Sequence, residues 1–131
     1  MAQQSPPDPR TCTILYKILT PSEKESLPQN EWKGTEFDQK DGFIHLSTSH
    51  QTAGTLERFF SASSDVGDTL YLLALPRTNI VDAQNRLKFE PAAGTEFGHI
   101  YGTLDPSKDF AEEYRLERGS DGLFSLPELP F

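Results

Sequence analysis

The run Thr69-Leu70-Tyr71-Leu72-Leu73-Ala74-Leu75, closed by Pro76, is the most apolar stretch of the chain and limits the fold more than any other feature. A short apolar run with no polar alternation reads as a central strand covered on both faces. Proline cannot donate to a ladder, so the strand stops at Pro76. No apolar run approaches the roughly 20 residues of a membrane span, and no membrane partner is expected.

The other elements are read around that strand. Ile14–Leu19 is a second buried strand ending at Thr20-Pro21, and Pro21–Glu25 suits a helical turn with acids near its positive end. Lys40-Asp41-Gly42 is a turn signal that launches a strand over Phe43–Ser47. Ser49 then caps a predicted helix over His50–Phe60, with Ala53, Leu56, Phe59 and Phe60 on one face. Arg86–Glu90 and Phe97–Leu104 read as further strands, with a last one at Tyr114–Leu116 or Leu123–Leu126. Helical material lies between the early strands and is missing between the later ones, which is the α+β pattern. The expected fold is a compact, split, mixed or largely antiparallel sheet with few helices and a cleft.

At 131 residues the chain has room for one substantial core. Residues 1–12 are polar and Pro-rich and read as a flexible leader, leaving 13–131 as a single ligand-binding or catalytic domain. Cys12 is the lone cysteine, and the N-terminal residues carry no apolar signal-peptide core, so a cytoplasmic location is expected. A net charge of −8 opposes broad nucleic-acid binding, although a local basic pocket can still take one small phosphorylated ligand.

Side chains alternate across a strand, so Phe43, His45 and Ser47 share one face while Ile44 and Leu46 take the other. The same rule puts Phe97, His99, Tyr101 and Thr103 together, with Gly98 and Gly102 on the face of Ile100 and Leu104. A glycine within a strand marks a close approach of other atoms, here on the side away from His99. Glu90 ends its strand on the face opposite Leu87 and Phe89. Two imidazoles and a carboxylate are suited to acid–base chemistry near neutral pH, and equally to steadying a positive centre during glycosidic cleavage. Each also has an ordinary reading, as a hydrogen-bonded strand histidine or a solvated strand-end acid. His45, His50 and His99 match no metal-ligand spacing, and no metal is expected.

The Tyr16-Lys17-Ile18 opening, Trp32, the block Asp41-Gly42-Phe43-Ile44-His45-Leu46-Ser47 with Gln51, the Glu90 strand end and His99-Ile100-Tyr101-Gly102 together resemble domain-of-unknown-function family 952. Gly98 stands where that family usually carries Pro. The resemblance implies a fold similar to the ADP-ribosyltransferases, with a split sheet around a cleft for a nicotinamide dinucleotide, so NAD is the cofactor it points to. No later Glu occupies the strand position that transferases of this fold use. In this reading His45, Glu90 and His99 are the catalytic candidates, and Phe43, Ser47, Gln51, Trp32 and Tyr101 are the ligand-binding ones. Three functions follow as expectations. One is an enzyme binding a nucleotide-like ligand of NAD or ADP-ribose type, with glycosyl or ADP-ribosyl transfer. The second is a cofactor-free lyase, isomerase or cyclase using histidine acid–base catalysis. The third is a non-catalytic small-molecule binding module.

Overall fold

A computed structural model of the chain describes residues 7–60 and 67–131. Its strands form two antiparallel three-stranded sheets. In the first, β1 (Ile14–Leu19) and β6 (Glu112–Glu117) flank β3 (Thr69–Pro76). In the second, β2 (Ile44–Leu46) and β4 (Leu87–Ala92) flank β5 (Thr95–Ile100). The helices are short: α1 (Pro21–Glu25), α2 (Glu36–Asp41), α3 (Thr52–Phe59), α4 (Ala83–Arg86) and α5 (Pro106–Asp109). No helix among the described residues is long and apolar enough to cross a membrane.

The apolar run Thr69–Leu75 lies in the middle strand, as its lack of alternation requires. Leu73 and Leu75 face one core, with Leu15 and Leu19 of β1, Ile44 and Leu46 of β2 and Ile100 of β5. Leu70, Leu72 and Ala74 face a second core, with Tyr16, Ile18, Leu116 and Leu56 of α3. The first core welds the sheets together, and at Gly98 the packing is close: a Cβ would come within 3.2 Å of a Leu15 methyl, which would have to give by a few tenths of an ångström. Between β1 and β2 the pairing reduces to one antiparallel bridge, with Tyr16 N–H donating to the Ser47 carbonyl at 2.7 Å and Ser47 N–H returning at 2.9 Å. The sheet splits there.

Several expectations shift. The segment before Gly42 forms α2, whose start is secured by a capping box in which Thr35 Oγ1 accepts from Asp38 N–H and Asp38 accepts from Thr35 N–H. Gly42 is the left-handed C-cap at φ 87°, so the turn signal closes a helix as well as launching a strand. α3 begins at Thr52 with no cap from Ser49, and it buries Thr52 and Leu56 while Ala53 and Phe59 are exposed. β4 runs on through Pro91, which an edge strand tolerates because its outer N–H needs no partner. β5 starts at Thr95 and ends at Ile100: Tyr101 N–H makes one more bond, to the carbonyl of Arg86 at the end of α4, Gly102 then turns the chain at φ 103°, and Leu104 pairs with Trp32. Every ladder is antiparallel. The last strand is Glu112–Glu117, and Phe124 adds a single bridge to Arg118.

Of the leader, residues 1–6 lie outside the described residues. Pro9–Thr11 is a 3-10 turn capped by Asp8, Arg10 pairs with Glu96 at 2.7 Å, and Cys12 is buried in the first core.

Candidate functional site

Where β1 and β2 part, a cleft of about 710 Å³ opens, bounded by the start of α2, the end of α3 and the hairpin of β4 and β5. Antiparallel pairing sets His45 directly opposite His99, and the two rings lie edge to face with centroids 5.2 Å apart. Both line the cleft, with Phe43, Ser47 and Phe97 from the faces that strand alternation assigns. Phe43 stacks on His99 at 4.0 Å and sits 4.7 Å from His45. Phe43 thus covers one face of the His99 ring.

Each imidazole is held by a carboxylate. Nδ1 of His99 is 2.8 Å from Glu90 Oε1, and the Tyr101 hydroxyl donates to the same oxygen at 2.7 Å. These bonds, Tyr101 first and His99 second, hold the Glu90 carboxyl below its ordinary range. An ionised oxygen can only accept, so the hydrogen of a neutral His99 sits on Nδ1 and Nε2 carries the lone pair. Burial pushes the His99 imidazole below its usual value, opposed by the Glu90 bond, which favours the neutral, basic ring.

Nδ1 of His45 is 2.6 Å from Asp38 Oδ1, and Nε2 is 3.0 Å from Asp41 Oδ2. Asp38 is completely buried, and its other oxygen takes Lys17 Nζ at 2.7 Å and Thr35 N–H at 2.9 Å. Burial alone would raise the Asp38 carboxyl, but the His45 hydrogen bond and the Lys17 charge and hydrogen bond outweigh it and hold the group at about 2. Lys17 is itself 6% exposed and also donates to the His45 carbonyl at 3.0 Å, spanning the gap between β1 and β2. Burial lowers its ammonium, against the pull of Asp38.

Other expected residues are distributed unevenly. Ser47 lines the cleft with its hydroxyl 2.9 Å from that of Thr55. Glu90 and Tyr101 stand behind His99 and reach the cleft through it. Gln51 spends its amide on the fold, accepting from Thr48 N–H at 2.9 Å and donating to the Glu96 carbonyl at 2.6 Å. Trp32 is not a cleft residue: it is 8% exposed in the first core, edge-on to Phe110 at 6.2 Å, because its backbone bridge to Leu104 carries it to the far side. His50 lies against Phe131 at 5.3 Å, and no cluster of three His, Cys, Asp or Glu among the described residues could hold a metal ion.

Four further cleft residues went unread in the sequence. Phe37 is 51% exposed, 4.9 Å from the His45 ring and 5.7 Å from Phe59, and Arg58 lies over Phe97 at 5.4 Å. Asp38 and Lys17 complete the set, and both had a signal. Lys17 is the one charge in the apolar run Ile14–Leu19, and a strand buried on both faces must pair such a charge. Asp38 completes the Thr35 capping pattern.

The architecture is that of a small α+β domain with two antiparallel three-stranded sheets and a histidine-bearing cleft at the split. Over residues 18–109 the sequence matches the family described as "Protein of unknown function (DUF952)", and the chain belongs to that family. The crystal structure of protein CC0527 from Caulobacter crescentus is similar, with 31% identity and a TM-score of 0.70 over 86% of this chain and 94% of that one. Its solution NMR structure gives 0.67, again at 31% identity, over 85% and 90% of the two chains. No curated protein matches the sequence.

Proposed function

We propose that the cleft binds a nucleotide-like ligand of the NAD or ADP-ribose type and that the protein is an enzyme of glycosyl or ADP-ribosyl transfer, with an ADP-ribosyltransferase-like arrangement of its split sheet. The observation that carries this reading is the convergence of His45 and His99, 5.2 Å apart, on the wall of a cleft large enough for such a ligand. Phe37, Phe43, Phe59 and Phe97 offer ring faces to a planar base, and Arg58 offers a cation to a diphosphate. His45 holds a ribose hydroxyl, and His99 takes up a proton from the acceptor. Glu90 acts through His99 and not on the sugar directly.

Calorimetric titration with NAD and with ADP-ribose, together with chromatography of released nicotinamide, tests the reading. Binding that is lost in His45→Ala supports it, and absence of both binding and release overturns it. Binding without release leaves a non-catalytic module.

A second reading, a cofactor-free lyase, isomerase or cyclase acting on a small metabolite, draws on the neutral His99 with its lone pair on Nε2. It predicts a co-purified metabolite in native mass spectra and turnover that both His45→Ala and His99→Ala abolish.

A further inference from the structure

We infer that Lys17 and Asp38 are positioning residues that hold the His45 ring in one tautomer and one orientation, with hydrogen on Nδ1 and with Nε2 turned to the cleft. The inference rests on the proposed function only in giving His45 a ligand to meet. The geometry itself concerns the ligand-free protein.

One contact holds the ring, and two residues secure the carboxylate that makes it. Asp38 of α2 accepts through Oδ1 from both His45 N–H, at 3.2 Å, and the ring Nδ1, at 2.6 Å, so one oxygen grips backbone and side chain together. Lys17 of β1 binds the other Asp38 oxygen at 2.7 Å and the His45 carbonyl at 3.0 Å, bracketing the residue from the opposite side. Thr35 N–H completes the carboxylate at 2.9 Å. Lys17 and Asp38 are both buried, so neither can swing into solvent, and each leaves an uncompensated charge if the other is removed.

An ionised carboxylate cannot donate, so Nδ1 donates to Asp38, and Nε2 donates to Asp41 for as long as that 3.0 Å contact is kept; when the ring holds one hydrogen, the shorter contact to the buried Asp38 keeps it on Nδ1 and the exposed Asp41 contact opens. Charge on Asp38 therefore dictates the tautomer, and the Lys17 ammonium keeps that charge in place within a buried site. The remaining titratable groups around the assembly are Asp41, which faces Nε2 from α2, His99 from β5, and Glu23 of α1, whose charge acts on Lys17. Asp41 is the outermost of these, with 43% of its side chain exposed, so it can yield Nε2 to an incoming hydroxyl. A buried lysine on a strand thus serves the cleft through a second residue, although it touches no imidazole atom.

The test is nitrogen and carboxyl-carbon NMR on the full chain, wild type and Lys17→Met, without ligand. In the wild type, His45 shows the Nδ1–H pattern at alkaline pH, and the Asp38 carboxyl titrates far below an ordinary aspartate. In Lys17→Met the Asp38 midpoint rises by at least about one pH unit. His45 then shows the Nε2–H form or a mixture of the two, while the indole signal of Trp32, buried in the first core away from the cleft, stays put as the check that the fold survives. An Nε2–H pattern in the wild type overturns the proposal, as does a folded Lys17→Met variant with unchanged His45 and Asp38 signals. If Lys17→Met does not fold, the wild-type tautomer alone decides. Because no ligand enters, a failure here is separate from a failure of NAD binding.

Discussion

Removing the charge of Asp38 by Asp38→Asn makes acid stability the readout of the buried network. The carboxyl is held at about 2, against 3.8 for an ordinary aspartate. Below both values the unfolded and folded chains are equally protonated at this position, and the group contributes nothing to the pH dependence. As pH rises from about 2 to about 4, the folded chain releases the proton first, and the folded state gains stability until both forms are ionised. At about 1.4 kcal/mol per unit, the difference amounts to about 2 kcal/mol, fully present above pH 4 and lost as pH falls through 2. Other carboxylates add slope of their own, so the quantity to measure is the difference between wild type and variant. Urea unfolding followed by circular dichroism at half-unit steps from pH 2 to pH 6 supplies it. At neutral pH the Asn variant is less stable by about 3–5 kcal/mol, because Lys17 is left buried without a counter-charge. The gap narrows by about 2 kcal/mol toward pH 2. A gap that stays constant across the window would show that Asp38 is not depressed by its partners, and the network argument would fail with it.

Three other outcomes follow from the same geometry. Glu90→Gln moves the His99 titration midpoint further down, because the bond that opposes the effect of burial is weakened; an imidazole proton titration by NMR reads it directly. Trp32→Ala lowers stability by about 3–5 kcal/mol through the core it vacates, while any variant still folded keeps wild-type affinity for ADP-ribose in calorimetry. Phe37→Ala, at the rim, changes the unfolding midpoint little and weakens ADP-ribose binding roughly two- to tenfold, the loss of about 0.5–1.5 kcal/mol of ring stacking.

The arrangement also shows how one split in a sheet makes a site. Where β1 and β2 stop pairing, their backbones no longer satisfy one another, and Lys17 Nζ fills the gap by donating to the His45 carbonyl. The side chain that repairs the fold is the one that charges Asp38. The fold and the cleft therefore share residues here, so variants at Lys17 and Asp38 need a structural control beside every binding assay.

Local chemistry in the sequence located the strands and the faces of their central residues, though not where each strand ends. Apolar runs closed by proline marked β1 and β3, and alternation put Phe43 with His45 and Phe97 with His99, because side-chain direction along a strand has a period of two whatever surrounds it. α2 was hidden because its six residues carry little periodicity beside a strong turn signal, and its capping pair was the cue. What strand faces cannot reveal is which strands are neighbours. The register that sets His45 opposite His99 and the crossing of β1 that brings Lys17 to Asp38 and His45 are contacts between residues far apart in the chain, and even Asp38, seven residues before His45, reaches it only through the turn between α2 and β2. The same holds for Trp32, whose bridge to Leu104 sent it to the core; Glu90 met His99 through the pairing of the β4–β5 hairpin. Side-chain identity determined what each residue could do, and tertiary packing decided which partner it met, because hydrogen bonds and buried charges act over a few ångströms of space and take no account of distance along the chain.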